Sequence, residues 1–155
     1  MLQQTFLFIH SWLRWAVLLF GLIVVVLAVA RWLKKDAWDG KVDRFGLLYT
    51  ITLDVQLVLG VLLFAVFTPW LSTLMSSPAA AMSSRVARYW TVEHGFGMII
   101  ALAFAHVARI VARKASDAVS KHRRAAIWFG LSLITLLLTL PWPFMAYARP
   151  LFRVG

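Results

Sequence analysis

The feature that most constrains this chain is an alternation of long apolar runs with short connections that hold nearly all of its charges. A hydrocarbon core about 30 Å thick needs roughly 20 apolar helical residues to cross it. The runs at 6–30, 45–67, 89–111 and 120–141 meet that length. They predict an all-α fold, an integral membrane four-helix bundle forming a single domain over residues 1–155. Composition agrees: 62% hydrophobic residues and a mean hydropathy of +0.81 exceed what a soluble core of this size requires.

The net charge of +10 does not point to nucleic acid, because the Lys and Arg side chains sit at run ends, where they meet lipid headgroups. The chain has no cysteine. Disulfides, thiolate-ligated iron–sulfur clusters and covalent haem attachment are thereby excluded, and any haem would be held noncovalently. Residues 1–15 lack a basic leader and a small-residue cleavage site, so the first run reads as a retained helix.

Arg31, Lys34 and Lys35 close the first run, and Asp36, Asp39, Gly40 and Asp43 mark a polar turn. Thr68-Pro69 closes the second, and a connection rich in Ser, Met, Ala and Pro leads through Pro78 to Arg85 and Arg88. A basic hairpin between Arg113 and Arg124 offers Ser116 and Asp117 as N-caps for the last run, and the tail from 142 onward is interfacial. Basic residues cluster at 31–44 and 109–124, against Arg85, Arg88, Arg149 and Arg153 at the other ends of the runs. The positive-inside rule then places both termini on the outer, periplasmic side. Trp12, Trp15, Trp70, Trp90 and Trp142 fall near the outer interface, and Trp32, Trp38 and Trp128 near the inner one, as an aromatic belt requires.

Ionisable and polar side chains inside a span are functional candidates, because burying them in hydrocarbon is costly unless they are paired or face a cavity. They are His10 and Arg14, one turn apart on the first run; Asp54 and Gln56 on the second; and Glu93, His94 and His106 on the third. Counted from their interfaces, His10 and His94 share one level in the outer leaflet. Two imidazoles facing each other across a bundle form the usual ligand pair of low-spin haem iron. Arg14 is then placed to meet a haem propionate or the carboxylate of Glu93 or Asp54. The plainer account has His10 and His94 bonded to each other or to backbone, and Arg14 with Asp54 as a structural pair. His106 lies about 18 Å deeper than His94 and about 120° around the helix. It either forms a second haem site with His122 or is a buried histidine bonded to Tyr49 or Thr50; His122 in turn stands in Lys121-His122-Arg123-Arg124, a run that reads as a solvated cytoplasmic interface. Asp54 and Gln56 serve either a quinone or proton path or interhelical packing.

Met75 and Met82, with Met98 one turn after His94, suggest a copper site, but no His or Cys accompanies Met75 and Met82 and apolar packing or interfacial anchoring accounts for them; no hydrolase motif or phosphate loop occurs.

The segments His10-Ser11-x-Leu13-Arg14-Trp15, Gln56-Leu57 with Gly60, and Glu93-His94-x-x-x-Met98 resemble small four-helix bacterial membrane proteins of cytochrome b-like character. The resemblance implies haem b ligated by span histidines in the bacterial cytoplasmic membrane, with electrons exchanged with a quinone pool or with other membrane redox subunits. It makes the chain an electron-transfer subunit rather than a stand-alone enzyme. The chain departs from the pattern in that its second run has no histidine and the fourth carries His122 only at its edge. The alternative is a non-redox accessory subunit, or a small permease-like protein using Arg14 and Asp54.

Overall fold

The structure, a computed structural model, describes residues 1–152; Arg153, counted above among the outer basic residues, lies outside the described residues. The chain forms α1 (Leu2–Lys34) and α2 (Lys41–Leu62), the latter running into a π-helical turn, Leu63–Phe67. Three short helices follow: α3 (Trp70–Ser76), α4 (Pro78–Met82) and α5 (Arg85–Arg88). A second π-helical turn, Tyr89–Glu93, leads into α6 (His94–Arg113), and α7 (Ala118–Thr139) ends the fold. There is no strand among the described residues.

Three helices are long and apolar enough to cross a membrane: Leu2–Lys34, Lys41–Phe67 and the continuous Arg85–Arg113. The fourth, α7, carries Lys121, Arg123 and Arg124 near its start, which leaves its apolar part to begin at Ala125. The first three of these helices begin before the runs that announced them and end at or beyond their ends, whereas α7 starts two residues early and stops at Thr139, two residues short. The Ser, Met, Ala and Pro-rich connection thus carries three short helices; Ser77 Oγ caps α4 by accepting from Ala80 N ahead of Pro78, and Ser84 Oγ caps α5 by accepting from Ala87 N.

The helices close into a ring: α1 packs on α2 and α7, and α6 packs on α7 and α2, so that α1 and α6 stand diagonally opposite. Direction alternates around the ring, and the start of α1, the end of α2, the start of α6 and the end of α7 share one end. Small residues permit this approach. Ala101, Ala105, Ala108 and Ala112 form a buried seam on α6 at helical spacing, the means by which helices pack where lipid provides no hydrophobic drive. Gly46 is a second close approach, since a Cβ there would lie 2.5 Å from Phe129 Cζ. A buried relay ties three helices together: the Tyr49 hydroxyl bonds to Ser132 Oγ at 2.9 Å, and Ser132 donates to the Ala101 carbonyl at 2.6 Å. The exterior is apolar, with Leu19, Leu22 and Val26 on α1 and Ile51, Val55 and Val58 on α2 all exposed.

The turns have local causes. Lys35 takes the left-handed conformation (φ 54°) and its N–H returns to the carbonyls of Arg31 and Trp32. Gly40 (φ 78°) starts α2 in a conformation that glycine adopts freely. Between them the Asp39 carboxyl is held below the usual carboxylate range, first by the Lys41 backbone N–H and then by Arg31, whose Nη1 is 2.6 Å away. At the α6–α7 turn the expected cap is present: Asp117 Oδ1 accepts from Ser120 N at 2.8 Å.

Candidate functional site

The end of α7 shows how local sequence builds the site. Pro141 has no N–H, so the Leu137 carbonyl loses its helical partner and instead accepts the Trp142 indole N–H at 2.7 Å. Pro143 likewise leaves the Thr139 carbonyl without one. The Tyr89 hydroxyl donates to that carbonyl at 2.6 Å, and His94 Nδ1 lies 3.4 Å from it. With the Tyr89 proton directed to Thr139, the 3.1 Å contact between Tyr89 and His94 Nδ1 requires the imidazole N–H to donate to the phenol oxygen. His94 is thus held as the tautomer whose Nε2 lone pair is available to a ligand, the orienting pattern seen behind metal-bound histidines. The π-helical turn Tyr89–Glu93 precedes it directly, and such turns recur at functional sites.

Diagonally opposite, His10 on α1 is gripped by α2. Gln56 Nε2 donates to the His10 carbonyl at 2.9 Å. The absence of a side chain at Gly60 lets the imidazole lie against α2, for a Cβ there would be 3.3 Å from His10 Cε1. His10 and His94 are near enough for their charges to interact, and Arg14 is within electrostatic reach of both. Arg14 Nη2 donates to the Leu151 carbonyl at 2.6 Å, and Trp15 Nε1 donates to the same oxygen at 3.2 Å. Phe152 stacks on Trp15 with centroids 5.0 Å apart.

Three buried polar atoms in this region have no hydrogen-bond partner: His10 Nδ1, Arg14 Nε and Gln56 Oε1. Buried polar groups are rarely left so; these three lie on His10 and on its neighbours Arg14 and Gln56, and two more among the described residues, Arg109 Nε and His122 Nδ1, lie elsewhere. Among the described residues no cluster of three or more His, Cys, Asp or Glu side chains offers a self-contained metal site. A haem asks for less, since the porphyrin supplies the equatorial ligands and the protein only the axial pair. His10 and His94 are the residues that would supply such a pair.

The other candidates lie apart from this pair. Glu93 is bonded to Arg88, Nε to Oε1, at 2.5 Å and is exposed, so it does not meet Arg14. Asp54 does not meet Arg14 either; its Oδ1 is 3.0 Å from His106 Nε2. His106 is therefore not the buried histidine bonded to Tyr49 or Thr50 that the sequence suggested. The Tyr49 hydroxyl is engaged by Ser132, Thr50 donates to the Gly46 carbonyl, and His106 sits half-exposed on the outside of the bundle. His122, which looked like part of a solvated basic run, is fully buried, with its ring 4.8 Å from that of Trp38 and its Nε2 3.5 Å from the Ala37 carbonyl. His106 and His122 thus have separate partners.

Sequence reasoning missed Tyr89 and Thr139. The signal was present in Pro143, four residues after Thr139, which frees a carbonyl that a neighbouring helix must satisfy.

Comparison with protein-family models, with curated proteins and with solved structures finds no match to this chain.

Proposed function

We propose that this chain is a membrane electron-transfer subunit that holds one b-type haem between His10 and His94, near the end of the bundle that holds the start of α1 and the end of α7. The observation that carries the reading is His94, its Nδ1 tied to Tyr89 and Thr139, at the same end of the bundle as His10, with unpartnered buried polar atoms on His10 and its neighbours Arg14 and Gln56. Haem iron in such a site supplies one-electron transfer. The protein's own part is to orient and to shield. Tyr89 and Thr139 fix the His94 tautomer, Gln56 and Gly60 set the position of His10 against α2, and Arg14 offers an unpartnered Nε–H and positive charge to a propionate. Glu93 and Asp54, each bonded elsewhere, take no part at this iron. With His106 and His122 separately engaged, the reading has a single haem.

In the same proposal α7 crosses with the other three helices in the bacterial cytoplasmic membrane. The basic inner rim around Arg31, Arg113 and Arg124 faces the cytoplasm and both termini face outward. The electron partner is a quinone pool or a larger redox complex. The test is a dithionite-reduced minus air-oxidised absorption spectrum of the purified protein. A sharp α-band in the b-type region, with haem close to equimolar with chain, is expected; a featureless spectrum after haem supplementation overturns the reading.

A further inference from the structure

Among the described residues, the one ionisable pair that joins α2 to α6 away from the haem-proposed end and the inner rim is Asp54 with His106. Its depth follows from the rim. Arg113 and Asp43 make a two-bond ion pair, both contacts at 2.8 Å, between the inner ends of α6 and α2. Asp54 lies eleven residues along α2 from Asp43, and His106 seven residues back along α6 from Arg113. At about 1.5 Å per residue the pair stands about 10 to 16 Å inside the rim, near the middle of a hydrocarbon slab about 30 Å thick.

At that depth an ionisable group is expected to face the bundle interior or a cavity. This pair does not: the side chains are 49% and 44% exposed. Around it lie exposed apolar residues, Ile51 and Val58 on α2 and Ile99 and Ile110 on α6. Ala103, one turn before His106, is also exposed. The site opens to lipid, so its occupant arrives through lipid.

The hydrogen-bonding character of the pair selects among such occupants. His106 Nε2 is 3.0 Å from Asp54 Oδ1, which assigns the imidazole N–H to the carboxylate. His106 Nδ1 and the second carboxylate oxygen remain as acceptors. Two acceptors on an apolar, membrane-centred face match a donor of two hydroxyl protons on a flat apolar ring.

We infer that Asp54 and His106 form a lipid-facing binding site for the reduced, dihydroxy headgroup of a membrane quinone. The inference rests on the electron-transfer reading above for the class of partner and adds where that partner docks, at the α2–α6 face rather than at Gln56. Gln56 is buried and its amide already donates to His10.

The test uses the full chain in lipid nanodiscs with a diazirine-bearing benzohydroquinone carrying a short alkyl tail, kept reduced with ascorbate, photolysed and mapped by mass spectrometry. Labelling concentrated at 51–58 and 102–110, abolished by excess unlabelled hydroquinone and reduced at least ~fivefold in the double variant Asp54→Leu/His106→Leu, is expected. The apolar double substitution leaves no unpaired charge in lipid and so keeps the bundle folded, which the melting profile checks. Asp54→Asn, which keeps a hydrogen-bonding pair, retains most of the labelling. Label spread along all lipid-facing residues, label not competed, or label unchanged in the double variant overturns the inference, and leaves the pair a packing device. An α-band with unlocalised label removes this site alone. Localised, competed label in a protein without an α-band supports the site and removes the haem.

Discussion

Replacing Tyr89 by Phe removes one oxygen that holds the end of α7 and the His94 ring at once. In the native chain that oxygen donates to the Thr139 carbonyl at 2.6 Å and accepts from His94 Nδ1 at 3.1 Å. The ring itself keeps its neighbours in Phe: Tyr147 stacks on it at 3.6 Å and Trp90 meets it edge-on at 4.9 Å. Packing is conserved and only hydrogen bonding is lost. The Thr139 carbonyl, deprived of a helical partner by Pro143, would retain His94 Nδ1 alone, at a distance of 3.4 Å that must shorten. One lost bond to a buried carbonyl costs about 1 kcal/mol. The second consequence is larger for function, since losing an orienting partner behind a metal-bound histidine typically weakens metal binding by about 10-fold to 100-fold. Tyr89→Phe should therefore melt only slightly below wild type yet bind haem at least ~10-fold more weakly in a titration of haem-free protein. A variant that binds haem within about twofold of wild type while melting normally would refute the assignment of Tyr89 as the group that orients His94.

Gly46→Ala places a Cβ 2.5 Å from Phe129 Cζ, well inside van der Waals contact. Because Phe129 is 1% exposed, the ring has no room to yield, and a loss of about 1–3 kcal/mol is expected in detergent unfolding. Asp117→Ala removes the cap of α7. The Asp117 carboxyl is held below its ordinary range, first by the Ser120 backbone N–H. Its contribution is therefore present above the unfolded carboxylate range, about pH 4, and fades as pH falls through the lower folded value. The wild-type advantage in melting temperature should be full at neutral pH and shrink in acid; an advantage independent of pH would contradict this. Phe152→Ala removes the face that stacks on Trp15 at 5.0 Å. It should lower stability by about 0.5–1.5 kcal/mol and shift tryptophan emission to the red, whereas unchanged emission would mean that the tail does not rest there in solution.

Much of the helical scaffold was legible because hydrophobic length is a direct physical requirement of lipid. The runs at 6–30, 45–67 and 89–111 each lie within a helix long enough to cross a membrane, and Asp117 announced its own cap. Less was legible at the site. His10, His94 and Arg14 could be singled out by their cost in hydrocarbon, but their partners could not. Arg14 is held by a backbone carbonyl of the tail, Leu151, and a carbonyl has no residue type to betray it. Rotation about the helix axis decided the rest. Asp54 faces His106 and not Arg14 because helix packing angles, which residue spacing does not encode, turned those faces together. His122 looked solvated among its basic neighbours, yet the Asp36 to Asp39 turn lays Trp38 over it.

The central claim, that His10 and His94 jointly hold one haem, is tested most directly by reduced-minus-oxidised spectra of His10→Ala, His94→Ala and His106→Ala beside wild type at equal protein concentration. The account predicts a b-type α-band in wild type, its loss in both His10→Ala and His94→Ala, and its persistence in His106→Ala. A band that survives in either of the first two, or that disappears with His106, would contradict it.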